Sequence, residues 1–173
     1  VDKVSASGVV CVPQQMSFLM RAGRVQARIA AGDIGEIVLY HSRGQWGIAE
    51  DWFHSGKPGW FADSTQTPGG ALIDEGIYSV QTMLALVNSR VVKVQAWTAN
   101  LVHHDIDVED WGMAVFTFAN GVIGTVEAGW TIVSPRKTGP SPKENSTRRT
   151  EIIGTRGQII EDGLRVPGFA ILA

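Results

Sequence analysis

The chain has 173 residues, about the length of one domain with a full hydrophobic core, and 44% of them are apolar. Its formal net charge of −2 at pH 7 excludes the clustered positive charge of a nucleic-acid surface. The single Cys11 excludes a disulfide within the chain, and no apolar run is long enough to span a bilayer as a helix, so no membrane partner and a cytoplasmic setting are expected.

Residues 1–6 read as the end of a helix, Ser7-Gly8 as a turn, and residues 9–12 as a short buried strand that includes Cys11. Residues 14–31 read as a helix. Phe18, Ala22, Val25 and Ile29 recur on one side of it, and Gly32 stands where a C-terminal cap belongs. Residues 35–41 form a strand. Residues 44–66 are irregular and hold Trp46, Trp52, His54 and Trp60; long loops of this kind are usually functional or mobile.

Pro68-Gly69-Gly70 breaks the chain before the next helix, residues 70–87. Ile73, Ile77, Val80, Leu84 and Val87 recur at helical spacing, which predicts an apolar stripe against a core. Glu75, Ser79 and Thr82 fall opposite, toward water. Asp74, Tyr78 and Gln81 share a third strip at the border of the core. A carboxylate and a phenol one turn apart beside a glycine-rich turn suit an acid–base pair. They equally suit an acid favoured by the helix dipole and a half-buried ring with a wet hydroxyl.

Beyond this helix, residues 91–99 form a strand with Val92, Val94 and Ala96 on one side. His103, His104 and Asp105 sit in a turn region. Adjacent side chains of extended chain point apart, so no metal site is expected. Residues 111–118 and 122–132 are strands joined by Asn120-Gly121, a strong hairpin signal. Val122, Gly124, Val126, Ala128 and Trp130 share one face of the second. Residues 134–150 are rich in Pro and basic residues and are expected to be a mobile loop. Residues 151–154 and 158–160 pair around Arg156-Gly157, and no strand is predicted after them.

The pattern G-G-A-L-x-D-x-G-x-Y from Gly69 to Tyr78, followed by Val108-Glu109-Asp110, Phe118-x-Asn120-Gly121 and Gly154-Thr155-x-Gly157, resembles the glucose–fructose oxidoreductase / inositol dehydrogenase (Gfo/Idh/MocA) family. The resemblance runs from about Val9 to about Asp162. Many members carry His where this chain has Tyr78, and the Tyr form is similar to the dimeric dihydrodiol dehydrogenase branch. The Arg-Phe-x-Pro pattern of the family's first helix is degraded here to Met16-Ser17-Phe18-Leu19. No G-x-G-x-x-G follows a strand anywhere in the chain, so its dinucleotide-binding fingerprint is absent.

The resemblance implies an α+β fold: an open, largely antiparallel sheet of about six strands, with helices on one face and the other face free to make a homodimer or higher homo-oligomer. It implies that residues 1–13 are the tail of a missing Rossmann domain and that residues 14–173 form a substrate-binding and dimerisation domain. The parent would be an NAD(P)-dependent oxidoreductase acting on a sugar, polyol or related alcohol as its small-molecule substrate. This part alone would be inactive, because NAD or NADP is bound mainly by the missing domain. Tyr78 and Asp74 would be catalytic, Gly69 and Gly70 would approach the cofactor, and Trp60 and Gln81 would line the substrate pocket. A phenol used this way needs a cation beside it, a place the missing domain's lysine would fill. A non-catalytic sugar-binding or dimerisation module, or an assembly protein in which Asp74 and Tyr78 only pack, remains the alternative.

Overall fold

The computed structural model describes residues 6–10, 16–47, 59–132, 147–162 and 168–172, with the backbone alone over 16–22, 162 and 168–172. The first helix, α1, spans Met16–Ala30. It ends as the sequence predicts. The Gly32 N–H donates to the Ile29 carbonyl at 2.9 Å and the Asp33 N–H to the Arg28 carbonyl at 3.2 Å, the paired bonds of a Schellman end.

Seven strands follow: β1 (Ile37–Gln45), β2 (Val91–Ala99), β3 (Trp111–Phe118), β4 (Ile123–Gly129), β5 (Thr147–Gly154), β6 (Gln158–Asp162) and β7 (Gly168–Leu172). They form one sheet in the order β2-β3-β4-β1-β5-β6-β7. Only β1 and β4 are parallel; every other pair is antiparallel. This is the open α+β sheet that the sequence implies, extended at one edge by β7. Both expected hairpins form. Gly121, at φ +88°, donates to the Phe118 carbonyl at 3.0 Å, and a left-handed residue at that corner favours glycine. At the second hairpin the Gly154 N–H donates to the Gly157 carbonyl at 2.8 Å.

The predicted helix 70–87 is two pieces, α2 (Ala71–Asp74) and α3 (Gly76–Val87), with Glu75 at the joint. Both lie on the sheet face to which Val126 and Ala128 point. Met83 rests against Gly124 and Leu72 against Gly112. The main core collects Tyr40, Met83, Phe118, Val126, Ile152 and Ile159, all fully buried. Each such side chain contributes about 1.5–3 kcal/mol by leaving water. A second cluster, around the buried Trp130, takes in Ala62, Ala71, Ile106 and Val108.

The phase of the central helix differs from the sequence expectation. Ile73, Ile77 and Leu84 are exposed, at 47%, 56% and 42%, while Glu75, Ser79 and Met83 are buried. The helix is apolar nearly all round, so hydropathy alone does not fix its facing. Its polar residues meet partners inside: the Ser42 hydroxyl donates to Ser79 Oγ at 2.8 Å, and Arg148 donates to Glu75. A polar side chain with a buried partner does not need water.

Two further expectations change. Val9 and Val10 are exposed and outside any strand, and Cys11 lies outside the described residues. So do Trp52, His54 and most of 134–150, but residues 147–150 belong to β5. Strand β2, at the sheet edge, is exposed on both faces over nearly its whole length.

Candidate active site around Asp74

The site is built on the turn into α2. Glu109, on the loop before β3, caps this helix from across the fold. Its carboxylate accepts the Gly70 N–H at 2.7 Å and the Leu72 N–H at 3.2 Å, and its backbone carbonyl accepts the Ala71 N–H at 3.0 Å. An acid there satisfies helix donors that have no partner within the helix and meets the positive end of the dipole. Gly70 has no room for a side chain: a Cβ would stand 2.0 Å from the Glu109 carbonyl oxygen. The Gly70 N–H is thus taken up by Glu109.

Asp74 closes α2. Its Oδ2 accepts the Trp130 indole N–H at 3.3 Å. Burial raises the Asp74 carboxyl above its ordinary range, and the indole hydrogen bond works against that shift. The next residue, Glu75, is 4% exposed. Burial, reinforced by the negative charge of Asp74 and opposed by Arg148, raises its carboxyl to about 7. Arg148 lies over the Trp46 ring with its guanidinium carbon 5.9 Å from the centroid.

Tyr78, one turn on, is half-buried. It borders a small cavity of about 30 Å³ together with Tyr40, Ser79, Thr82, Arg148 and Glu161. A polar cavity of that size holds a water. The Tyr40 hydroxyl donates to the Ser79 carbonyl at 3.3 Å, and burial pushes this phenol up to about 12. Gln81 is half-buried one turn beyond Tyr78. Trp60 stands apart, 58% exposed, and is linked to Asp74 through Phe61 and Trp130.

The structure therefore places Asp74 and Tyr78 on one strip and adds three residues the sequence reading missed: Glu75, Trp130 and Arg148. Trp130 is legible in retrospect, since its strand face is the buried one. Arg148 carries no signal in the sequence, because its neighbours read as a basic loop. His103, whose Nε2 lies 3.0 Å from the Trp130 carbonyl, and Asp110, whose carboxylate accepts the N–H groups of Leu101, Val102 and His103, hold the loop before β3. Among the described residues no three His, Cys, Asp or Glu side chains come together as metal ligands do, and no helix is long and apolar enough to cross a membrane.

The family description "GFO/IDH/MocA C-terminal domain" matches residues 23–160, and the chain belongs to that family. No curated protein matches the chain. Among solved structures, GenD2 from gentamicin A biosynthesis, in complex with NAD, is 25% identical, with a TM-score of 0.64 over 86% of this chain and 38% of its own. The aldose-aldose oxidoreductase of Caulobacter crescentus, complexed with glycerol, is 17% identical, with a TM-score of 0.68 over 90% and 42%. The WlbA dehydrogenase of Bordetella pertussis, in complex with NADH and UDP-GlcNAcA, is 21% identical, with a TM-score of 0.65 over 86% and 42%. The chain spans less than half the length of each of these structures.

Proposed function

We propose that this chain is the substrate-side part of an NAD(P)-dependent oxidoreductase acting on a sugar, polyol or related alcohol, with residues 1–13 as the tail of a nucleotide-binding domain and residues 14–173 as the substrate-binding and dimerisation domain. The observation that carries this reading is Asp74: a desolvated carboxylate, oriented by the Trp130 indole, one helical turn from Tyr78. Solved structures of the same fold include complexes with NAD or NADH and with small polyols and sugars.

The described residues suit the substrate better than the dinucleotide. The start of α2 is the one place in this site where backbone N–H groups converge, and the Glu109 carboxylate fills it with negative charge. A pyrophosphate would be repelled there. To the cofactor we assign only close approach along the side-chain-free Gly69-Gly70 turn. When bound by the other domain, the nicotinamide supplies or accepts the hydride.

The chain's own residues do the rest. Asp74 accepts a hydrogen bond from a substrate hydroxyl and fixes the reacting carbon. Tyr78 moves the hydroxyl proton, and Arg148, bordering the same cavity, is the positive charge this chain itself contributes beside it. Trp60 and Gln81 bound the substrate side of the pocket. The test is turnover of the full-length protein with NAD and NADP against a panel of sugars and polyols. Tyr78→Phe should cost ~10²–10⁴-fold in kcat, as loss of a general acid–base group does, and Asp74→Asn should raise KM as well. Unchanged turnover in both variants would overturn the reading.

A further inference from the structure

A groove of about 310 Å³ opens beside the single turn of 3-10 helix at Trp60–Ala62. Gly59, Trp60, Asp63, Gln66, Asp105 and Asp107 line it; Asp74 and Tyr78 do not. The Trp60 side chain is 58% exposed. Phe61 meets it edge-on at 5.8 Å, and Phe61 in turn meets Trp130 at 5.7 Å. The Asp107 N–H donates to the Ala62 carbonyl at 3.4 Å, which ties the far wall to the turn. Asp63 is fixed by the Thr65 N–H at 2.9 Å and hydroxyl at 2.6 Å, and by the Gln66 amide.

These features have the composition of a ligand site: an apolar surface with a few placed polar groups around it. The surface is the exposed Trp60 indole in edge contact with Phe61, and large aromatic planes bind the C–H face of a sugar ring while its hydroxyls stay wet. The polar groups are carboxylates and one amide, which accept hydrogen bonds from hydroxyls. Among the described residues no basic side chain lines the groove. The row Trp60–Phe61–Trp130 ends on Asp74, so the groove keeps a fixed relation to the reacting centre, and Trp60 stands between the two.

We propose that the Trp60 groove is a second sugar-ring subsite, which receives the glycosyl unit remote from the reacting carbon, so that the substrate is a glycoside or oligosaccharide whose remote ring bears no anionic group. This inference rests on the oxidoreductase reading and names the substrate class of the same site. A uronate or sugar phosphate in the groove would stand against Asp105 and Asp107 and be repelled.

The experiment is calorimetric titration of this chain, without cofactor, with maltotriose, cellotriose, triglucosamine and trigalacturonate. Saturable binding of at least one neutral or amino trimer is expected, with trigalacturonate at least tenfold weaker. Trp60→Ala should abolish the binding and Trp60→Phe retain part of it, both with an unchanged melting temperature because the ring is exposed. The double variant Asp105→Asn, Asp107→Asn should remove the discrimination against trigalacturonate. No saturable heat with any trimer, binding that survives Trp60→Ala, or equal binding of trigalacturonate would overturn the proposal. The two readings fail separately. Trimer binding without turnover in the full-length protein counts against the oxidoreductase, and turnover of single sugars without trimer binding counts against the subsite.

Discussion

The Arg148 guanidinium meets the Glu75 carboxylate at 3.2 Å, beneath the joint between α2 and α3. Glu75 is nearly inaccessible and Arg148 mostly so. Removing two charges from water is costly, and their mutual attraction offsets that only in part. The raised Glu75 carboxyl is the expression of that imbalance.

The imbalance makes stability depend on pH. The Glu75 carboxyl titrates near 4.5 in the unfolded chain and at about 7 in the folded one, so the folded state binds the proton more tightly. The contribution is full below about pH 4.5 and is lost as pH rises to about 7. It amounts to at most about 3 kcal/mol. Urea midpoints of the wild type should fall between pH 5 and pH 8, and those of Glu75→Gln should fall less. Parallel curves for the two proteins would disprove this account.

Trp130→Phe tests the orientation of Asp74. It keeps most of the buried ring and deletes the N–H that holds the carboxylate. Without that bond, burial raises the Asp74 carboxyl further, so the acid limb of the pH–rate profile of the full-length enzyme should move to higher pH. A limb in its wild-type position, with kcat merely scaled, would show that Asp74 is not the group titrating there.

Two glycine substitutions should have opposite signs. Gly70→Ala drives a methyl into the Glu109 carbonyl and should destabilise by about 1–3 kcal/mol or more, as overpacking does. Gly23, on α1, has nothing within 4 Å of its would-be Cβ. Gly23→Ala should stabilise by about 0.5–1 kcal/mol, the difference between the two residues inside a helix. Thermal unfolding of the two variants reads both, and a neutral Gly70→Ala would refute the close contact.

The free sheet face predicts self-association. Trp97 is 50% exposed on β2 and stands opposite Met113 on the face away from the helices. Sedimentation at tens of micromolar should give a mass above the 18.7 kDa of one chain, and Trp97→Glu should bring it down. A monomer at all concentrations would sink the dimer.

Strands were the most readable part of the sequence. The intervals 91–99 and 111–118 coincide with β2 and β3, whereas the two faces of β4 both carry apolar or small residues and only the fold shows which is buried. Period-two patterns bounded by Asn-Gly or Gly leave little freedom of register. The central helix was legible in extent but not in facing, because Ile73, Ile77 and Leu84 look the same as core residues to any hydropathy count. What turned it was a set of long-range polar contacts, Glu75 with Arg148 and Ser79 with Ser42, that no local window contains. The same limit hid Arg148 from the site. Asp74 and Tyr78 were singled out by helical spacing and the family pattern as candidates, and Trp130, whose indole reaches Asp74, only through the fold.

The cap on α2 carries a consequence for the order of events in folding. Glu109 and Gly70 are 39 residues apart in sequence, so the start of the helix that presents Asp74 gains its cap only when the loop before β3 has arrived. Closing a loop of that length before its contacts are made is entropically uphill. The start of α2 should consolidate after the β3–β4 hairpin, whose turn is local. The amides of Gly70 and Leu72 would then gain protection from hydrogen exchange late, and the acid that the proposed chemistry depends on would be among the last side chains to reach its final position.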